Sequence, residues 1–243
     1  MSETHMNIDE LTRFLGQDYR KTCRMAQRGE IPCRKVGGQF RFNRLEVTQW
    51  LQQQLLAKGG NNGYLHAGLA RMDAGITAHR QADPQGAIIA ELLREELICP
   101  SLKARTKNSV LRELVRLAQR SGLLYDDQAL LEALIQREQL GSTAMGGGIA
   151  IPHPRRPLPY AIAEPILVVA ITPQGIGYGG PDGGTTDVFF MTCSQDDRHH
   201  LHVLARLCRI LDEKGFGGQL RQAKNAREIT ALLTKRESAI ISE

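Results

Sequence analysis

Three runs of this chain, residues 149–152, 166–171 and 187–193, are apolar at nearly every position instead of every second one. A strand with one face in water alternates; a run that does not alternate reads as a strand covered on both faces. Segments with apolar residues three or four positions apart surround these runs: residues 107–120, 126–140, 198–213 and 226–234. That spacing predicts helices. Together the runs predict an α/β unit, a mixed sheet flanked by helices, in the C-terminal part of the chain.

The first apolar run ends on a single imidazole. The stretch REQLGSTAMGGGIAIPH, residues 137–153, passes from Gly146, Gly147 and Gly148 through Ile149, Ala150 and Ile151 to Pro152 and His153. Proline stops the ladder, so His153 emerges at the end of the strand, where α/β proteins place function. Histidine is neutral and nucleophilic near pH 7. Amide N–H groups of the glycine run could hold an anion, or the run could be a flexible turn. A second element, DDRHHLHVLARLCRIL, predicts a helix capped by Asp196 or Asp197 with His200 in its first turn, where the helix dipole favours an anion. His199, His200 and His202 beside the two aspartates also resemble a zinc cluster. Only His199 and His202 are spaced to share a helix face, so no metal is expected.

The elements quoted, with a helix start at His200 to Leu204, resemble the type-2 enzyme IIA domains of the bacterial phosphoenolpyruvate-dependent phosphotransferase system, over roughly Gln85 to Lys235. The resemblance implies an α/β sandwich and no cofactor. It implies that His153 accepts a phosphoryl group from the carrier protein HPr and hands it to a IIB acceptor, with His200 beside it. Arg137 would add positive charge at the site, or make a structural ion pair. Ser142, Thr143 and Gly148 are the expected phosphate contacts, although the two hydroxyls could equally cap local backbone. The chain departs from many members after the histidine, with Pro154, Arg155 and Arg156. Proline removes one backbone N–H that could have met the phosphoryl group, and the arginines add charge.

The other end of the chain reads differently. Ile8, Leu11, Phe14 and Leu15 have helical spacing, Asp18 can cap a second helix carrying Arg20, Lys21 and Arg24, and residues 34–42 form a hairpin turning at Gly37 and Gly38. A last helix, residues 44–56, would close a small core around Trp50, the only tryptophan. With Arg28-Gly29-Glu30-Ile31-Pro32 and Trp50-Leu51, this segment resembles excisionase-like, MerR-related winged helix-turn-helix modules. That implies Arg20, Lys21 and Arg24 near bases and phosphates of DNA, and Lys35 and Arg41 near phosphates.

Charge follows the same division. Up to Lys58 there are 10 Lys or Arg against 6 Asp or Glu, and beyond it 21 against 20. A module at +4 binds nucleic acid weakly at physiological salt, so useful affinity needs two modules and hence a homodimer. The expected organisation is a DNA-binding module at 1–57, a linker at 58–84 opening with KGGNNG, and a IIA domain at 85–240. Within the linker, Leu65, Leu69, Met72 and Ile76 could make one short helix or stay mobile. No apolar run reaches the length of a membrane span and no signal peptide opens the chain, so a cytoplasmic protein without membrane contact is expected. Five scattered cysteines fit reduced, buried thiols. The reading is a DNA-binding regulator coupled to a phosphohistidine carrier. Its alternatives are a transport-chain phosphotransferase intermediate whose N-terminal module serves only protein contacts, and a regulator whose IIA-like domain senses a ligand or partner without accepting phosphate, a reading that Pro154 favours.

Overall fold

The computed structural model describes residues 5–57 and 88–242. Its contacts gather into an N-terminal and a C-terminal unit. The expected linker and its short apolar stretch lie outside the described residues.

In the N-terminal unit, α1 (Ile8–Leu15) starts at a capping box, in which Asn7 and Glu10 satisfy each other's amides, and stops at Gly16 in the left-handed region. Helix α2 (Tyr19–Gln27) is capped by Asp18, whose carboxylate accepts from Lys21 N. Strands β2 (Arg34–Val36) and β3 (Gln39–Asn43) form the hairpin, with Gly37 at φ 58° and Gly38 at φ 79°. Two successive positive φ values are what a tight two-residue hairpin turn requires. A short strand β1 (His5–Met6) pairs with β3, so the expected hairpin is the larger part of a three-stranded sheet ordered β1-β3-β2. Helix α3 (Arg44–Ala57) follows at once. Leu11, Leu15, Ala26, Ile31, Phe42, Val47 and Leu51 are buried. Trp50 is half-buried, so the core closes around Phe42 and not around the tryptophan.

The C-terminal unit is the expected mixed sheet. Strands β4 (Ile98–Cys99), β5 (Ala144–Gly146), β6 (Ile149–Ala150), β7 (Ile166–Ile176) and β8 (Thr186–Cys193) are ordered β4-β7-β8-β6-β5. Strands β7 and β8 run antiparallel at the centre, while β4 on β7 and β6 on β8 are parallel. One face of the sheet, with Ile166, Val168, Ala170, Phe189 and Met191, packs against α5 (Lys107–Gln119) and α6 (Asp127–Gln139). The alternate residues Leu167, Val169, Val188 and Phe190 are buried as well, which accounts for the unbroken apolar runs.

Helices α7 (Asp197–Leu211), α8 (Phe216–Gln222) and α9 (Ala226–Ser242) complete the unit, and α4 (Ile88–Leu92) opens it. Glu237, fully buried on α9, accepts from the amides of Ile88, Ile89 and Ala90 at 2.8–2.9 Å and meets Arg206 Nη1 of α7 at 3.3 Å. One carboxylate thus caps α4 and joins it to α7 and α9. Arg221 likewise clamps Asp187 and the carbonyl of Gly147. Gly148 sits directly beneath that clamp at φ 80°, where a Cβ would collide with the guanidinium.

A candidate phosphoryl-acceptor site

His153 lies where the β6 backbone runs out. Beyond Ala150 the chain stays in the sheet, with Ile151 N on Thr143 O at 3.0 Å and Thr192 N on Pro152 O at 3.0 Å. The His153 ring is fully buried, and its Nδ1 stands 2.6 Å from the carbonyl oxygen of Ile151. A carbonyl only accepts, so Nδ1 carries the proton and the lone pair is on Nε2. Nε2 has no hydrogen-bond partner among the described residues. The sequence left open which nitrogen would carry a phosphoryl group; this contact leaves the free lone pair on Nε2.

His200 joins it from the first turn of α7, with ring centroids 5.3 Å apart and planes tilted by 52°. Asp196 caps that helix, its carboxylate accepting from His199 N at 2.8 Å. The helix therefore begins at a carboxylate of its own, the cap that the sequence expected, with His200 in its first turn. Arg137, from the last turn of α6, is buried and donates through Nη1 to Gly141 O at 2.9 Å.

Burial pushes His153 well below the ordinary histidine pKa, with the charge of Arg137 and the neighbouring His200 adding to it. Burial chiefly, with His199 and Arg137, lowers His200 to about 4. Both rings are therefore neutral at pH 7, and Nε2 is available without prior loss of a proton. Removing Arg137 has a definite sign. A cation disfavours protonation of its neighbour, so Arg137→Gln raises the His153 pKa towards 6.5, although burial holds it below that value. The acid limb of a transfer-rate profile is expected to move to higher pH. Imidazole titration by NMR checks this, and an unmoved His153 would place Arg137 outside its field.

Three expected phosphate contacts are redirected. Gly148 lies five residues before His153, roughly 16 Å along an extended strand, under the Arg221 clamp. The amide of Gly147 is held by Asp182 Oδ2 at 2.8 Å, so the glycine run is the β5–β6 turn at the far end of β6. Ser142 donates its hydroxyl to Tyr178 O at 2.8 Å, and Thr143 donates its own to Glu138 Oε2 at 2.7 Å. Both hydroxyl protons are committed, and a phosphate oxygen needs donors. Their bonds do hold the backbone, the duller alternative in the sequence.

Glu138 is the residue that sequence reasoning passed over. Buried beside Arg137, it accepts from Thr143 N, Thr143 Oγ1 and, at 3.1 Å, Lys107 Nζ. Thr143 O receives Ile151 N, and Ile151 O receives His153 Nδ1. A continuous ladder therefore runs from Lys107 to the imidazole. Its signal was legible only as a glutamate adjacent to the arginine in the quoted motif. Arg155 is half-buried and Arg156 exposed. No cluster of three or more metal-ligating side chains occurs among the described residues.

In the N-terminal unit, Arg20 and Arg24 are exposed one turn apart on α2, and Lys21 is half-buried. Lys35 Nζ lies 5.1 Å above the Phe40 ring, and Arg41 Nη2 donates to Gln39 Oε1 at 3.2 Å. These residues lie on α2 and the hairpin, as expected, with all but Lys21 and Arg41 largely open to solvent.

Comparison with known proteins locates both units. Residues 91–236 match the family described as phosphoenolpyruvate-dependent sugar phosphotransferase system, EIIA 2, and residues 6–55 match a helix-turn-helix domain. A nitrogen regulatory protein of Bradyrhizobium diazoefficiens is 32% identical over 148 residues, 60% of this chain and 94% of that protein. The fructose-specific EIIABC component of Bacillus subtilis is 29% identical over 61% of this chain but only 23% of its own length. Among solved structures, nitrogen regulatory protein IIA-Ntr from Neisseria meningitidis covers 60% of this chain and 99% of its own, with a TM-score of 0.55 and 27% identity. Enzyme IIA of the mannitol system from Escherichia coli, in complex with phosphorylated IIB, shares the fold at a TM-score of 0.51 and 22% identity, covering 59% of this chain and 97% of its own.

Proposed function

From the premise that this chain belongs to the EIIA 2 family of the phosphoenolpyruvate-dependent phosphotransferase system and carries a helix-turn-helix domain, we propose that it is a phosphohistidine carrier coupled to DNA binding. The observation that carries this reading is the buried, unpartnered Nε2 of His153 with its tautomer fixed by Ile151. The lone pair of Nε2 attacks phosphorus, the N–P bond of an HPr-like donor breaks, and its electron pair returns to the donor's imidazole. Nδ1 keeps its proton, and the Ile151 carbonyl takes part of the charge that the ring acquires. Arg137 and His200 face the incoming phosphoryl oxygens. Phosphoryl transfer asks the protein mainly for such positioning and charge. The phosphoryl group then passes to a IIB partner, the kind of complex that the mannitol enzyme forms, or stays as a signal adding about −1.5 to −2 charges beside Arg155.

Incubation of the full chain with phosphoenolpyruvate, enzyme I and HPr tests the reading. One acid-labile phosphoryl group by intact mass is expected; an unmodified protein would favour the non-phosphorylated sensor instead.

The N-terminal module is assigned to DNA through α2 and the hairpin. Binding is expected to weaken with salt, and Arg20→Ala and Arg24→Ala each to lower the log–log salt slope by about 1. The full chain titrated at several salt concentrations checks it. A slope unchanged by both substitutions would leave the module to protein contacts. The same titration followed by sedimentation tests the homodimer. No described helix is long and apolar enough to cross a membrane, which is compatible with a cytoplasmic protein.

A further inference from the structure

Among the described residues, two buried polar atoms two positions apart lack partners: His153 Nε2, an acceptor, and Arg155 Nε, a donor. Arg155 makes no hydrogen bond or ion pair among the described residues, although its side chain is half-buried. Leaving a sequestered guanidinium N–H without an acceptor is unfavourable, and chains seldom keep one unless a ligand completes it. The neighbouring cation makes matters worse. Arg155 and Arg137 are close enough for the charge of one to depress the basicity of the other. Arg137 acts on both His153 and Arg155, and two guanidinium groups whose charges oppose each other are stable together when an anion lies between them. Pro154, buried between His153 and Arg155, has no N–H to offer that anion.

We propose that Arg155 is a catalytic residue that contacts the phosphoryl group on His153 Nε2, replacing the backbone donor that Pro154 removes. This rests on the phosphoryl-carrier reading. It also removes the argument from Pro154 for a domain unable to take phosphate. Arg156, exposed and equal in charge, has no part in the contact.

The test uses the full chain and two donors, phospho-HPr and the small donor phosphoramidate, whose P–N bond breaks as Nε2–P forms and ammonia leaves. A small donor has no docking surface, so a defect with it reports the phosphoryl contact. Arg155→Ala is expected to slow uptake from both donors about 10- to 100-fold, the range for loss of one charged transition-state donor in a partly solvated site. Arg155→Lys should recover part of the rate, and Arg156→Ala should match wild type with phosphoramidate. The 31P resonance of the phosphohistidine should shift in Arg155→Ala and stay in Arg156→Ala. Should Arg155→Ala fail to fold, a folded Arg155→Lys with reduced rate and shifted 31P resonance carries the same conclusion. Equal rates for Arg155→Ala, Arg156→Ala and wild type with phosphoramidate would overturn the assignment. Wild type taking no phosphoryl group from either donor would instead overturn the carrier reading itself.

Discussion

His153→Ala is expected to take up no acid-labile phosphoryl group, a loss of at least about three orders of magnitude, while His200→Ala slows uptake about 10- to 100-fold. The asymmetry follows from the two environments. His153 has a fixed tautomer, with Nδ1 on Ile151 O and Nε2 unpartnered, so one nitrogen is ready to form the N–P bond. His200 lies 5.3 Å away between ring centroids and stays neutral, and the role proposed for it is donation to a phosphoryl oxygen. Removing a donor costs part of the transition-state stabilisation; removing the nucleophile leaves nothing to bond. Intact mass after incubation with phosphoenolpyruvate, enzyme I and HPr reads both. Equal loss in the two variants would make His200 as necessary to uptake as His153 and remove the asymmetry, and full uptake by His153→Ala would move the acceptor elsewhere.

The second large effect concerns stability. Glu237→Ala is expected to destabilise the C-terminal unit by about 3–5 kcal/mol, because removing one side of a buried ion pair leaves the other charge less well compensated and three helix-start amides without their acceptor. Here Arg206, only 6% exposed, loses its carboxylate, and three amides at the start of α4 lose their acceptor together. Glu237→Gln keeps one acceptor oxygen and should fall between. Urea unfolding of the full chain, followed by a probe in each unit, measures it: the C-terminal transition moves and the N-terminal one does not. A shift below about 1 kcal/mol would mean that water replaces the carboxylate at little cost.

Much of this fold was legible because local chemistry and burial agree. The unbroken apolar runs became β7 and β8, and Asp18, Asp126 and Asp196 cap the helices that begin beside them. The misses share a cause. Strand β5 is Ala144–Gly146, too short and glycine-rich to show alternation, and α8 contains Gly217 and Gly218. Helix α9 runs past the expected end to Ser242 because Glu237 interrupts the apolar spacing while being as buried as Leu233. At the site, motif and imidazoles could be read, but hydrogen-bond direction could not. That Ser142 and Thr143 bind protein oxygens depends on Tyr178 and Glu138, partners at separations of 36 and 5 residues.

The complete burial of His153 has a kinetic consequence. An atom with no accessible surface cannot meet a donor's phosphorus until neighbouring side chains part, so each encounter succeeds only in proportion to the open population. The donor concentration at half-maximal rate then equals the intrinsic dissociation constant divided by that population. A ligand or second domain that favours the open form would speed charging of the site without touching the imidazole, and one that favours the closed form would prolong the lifetime of a phosphoryl group already there.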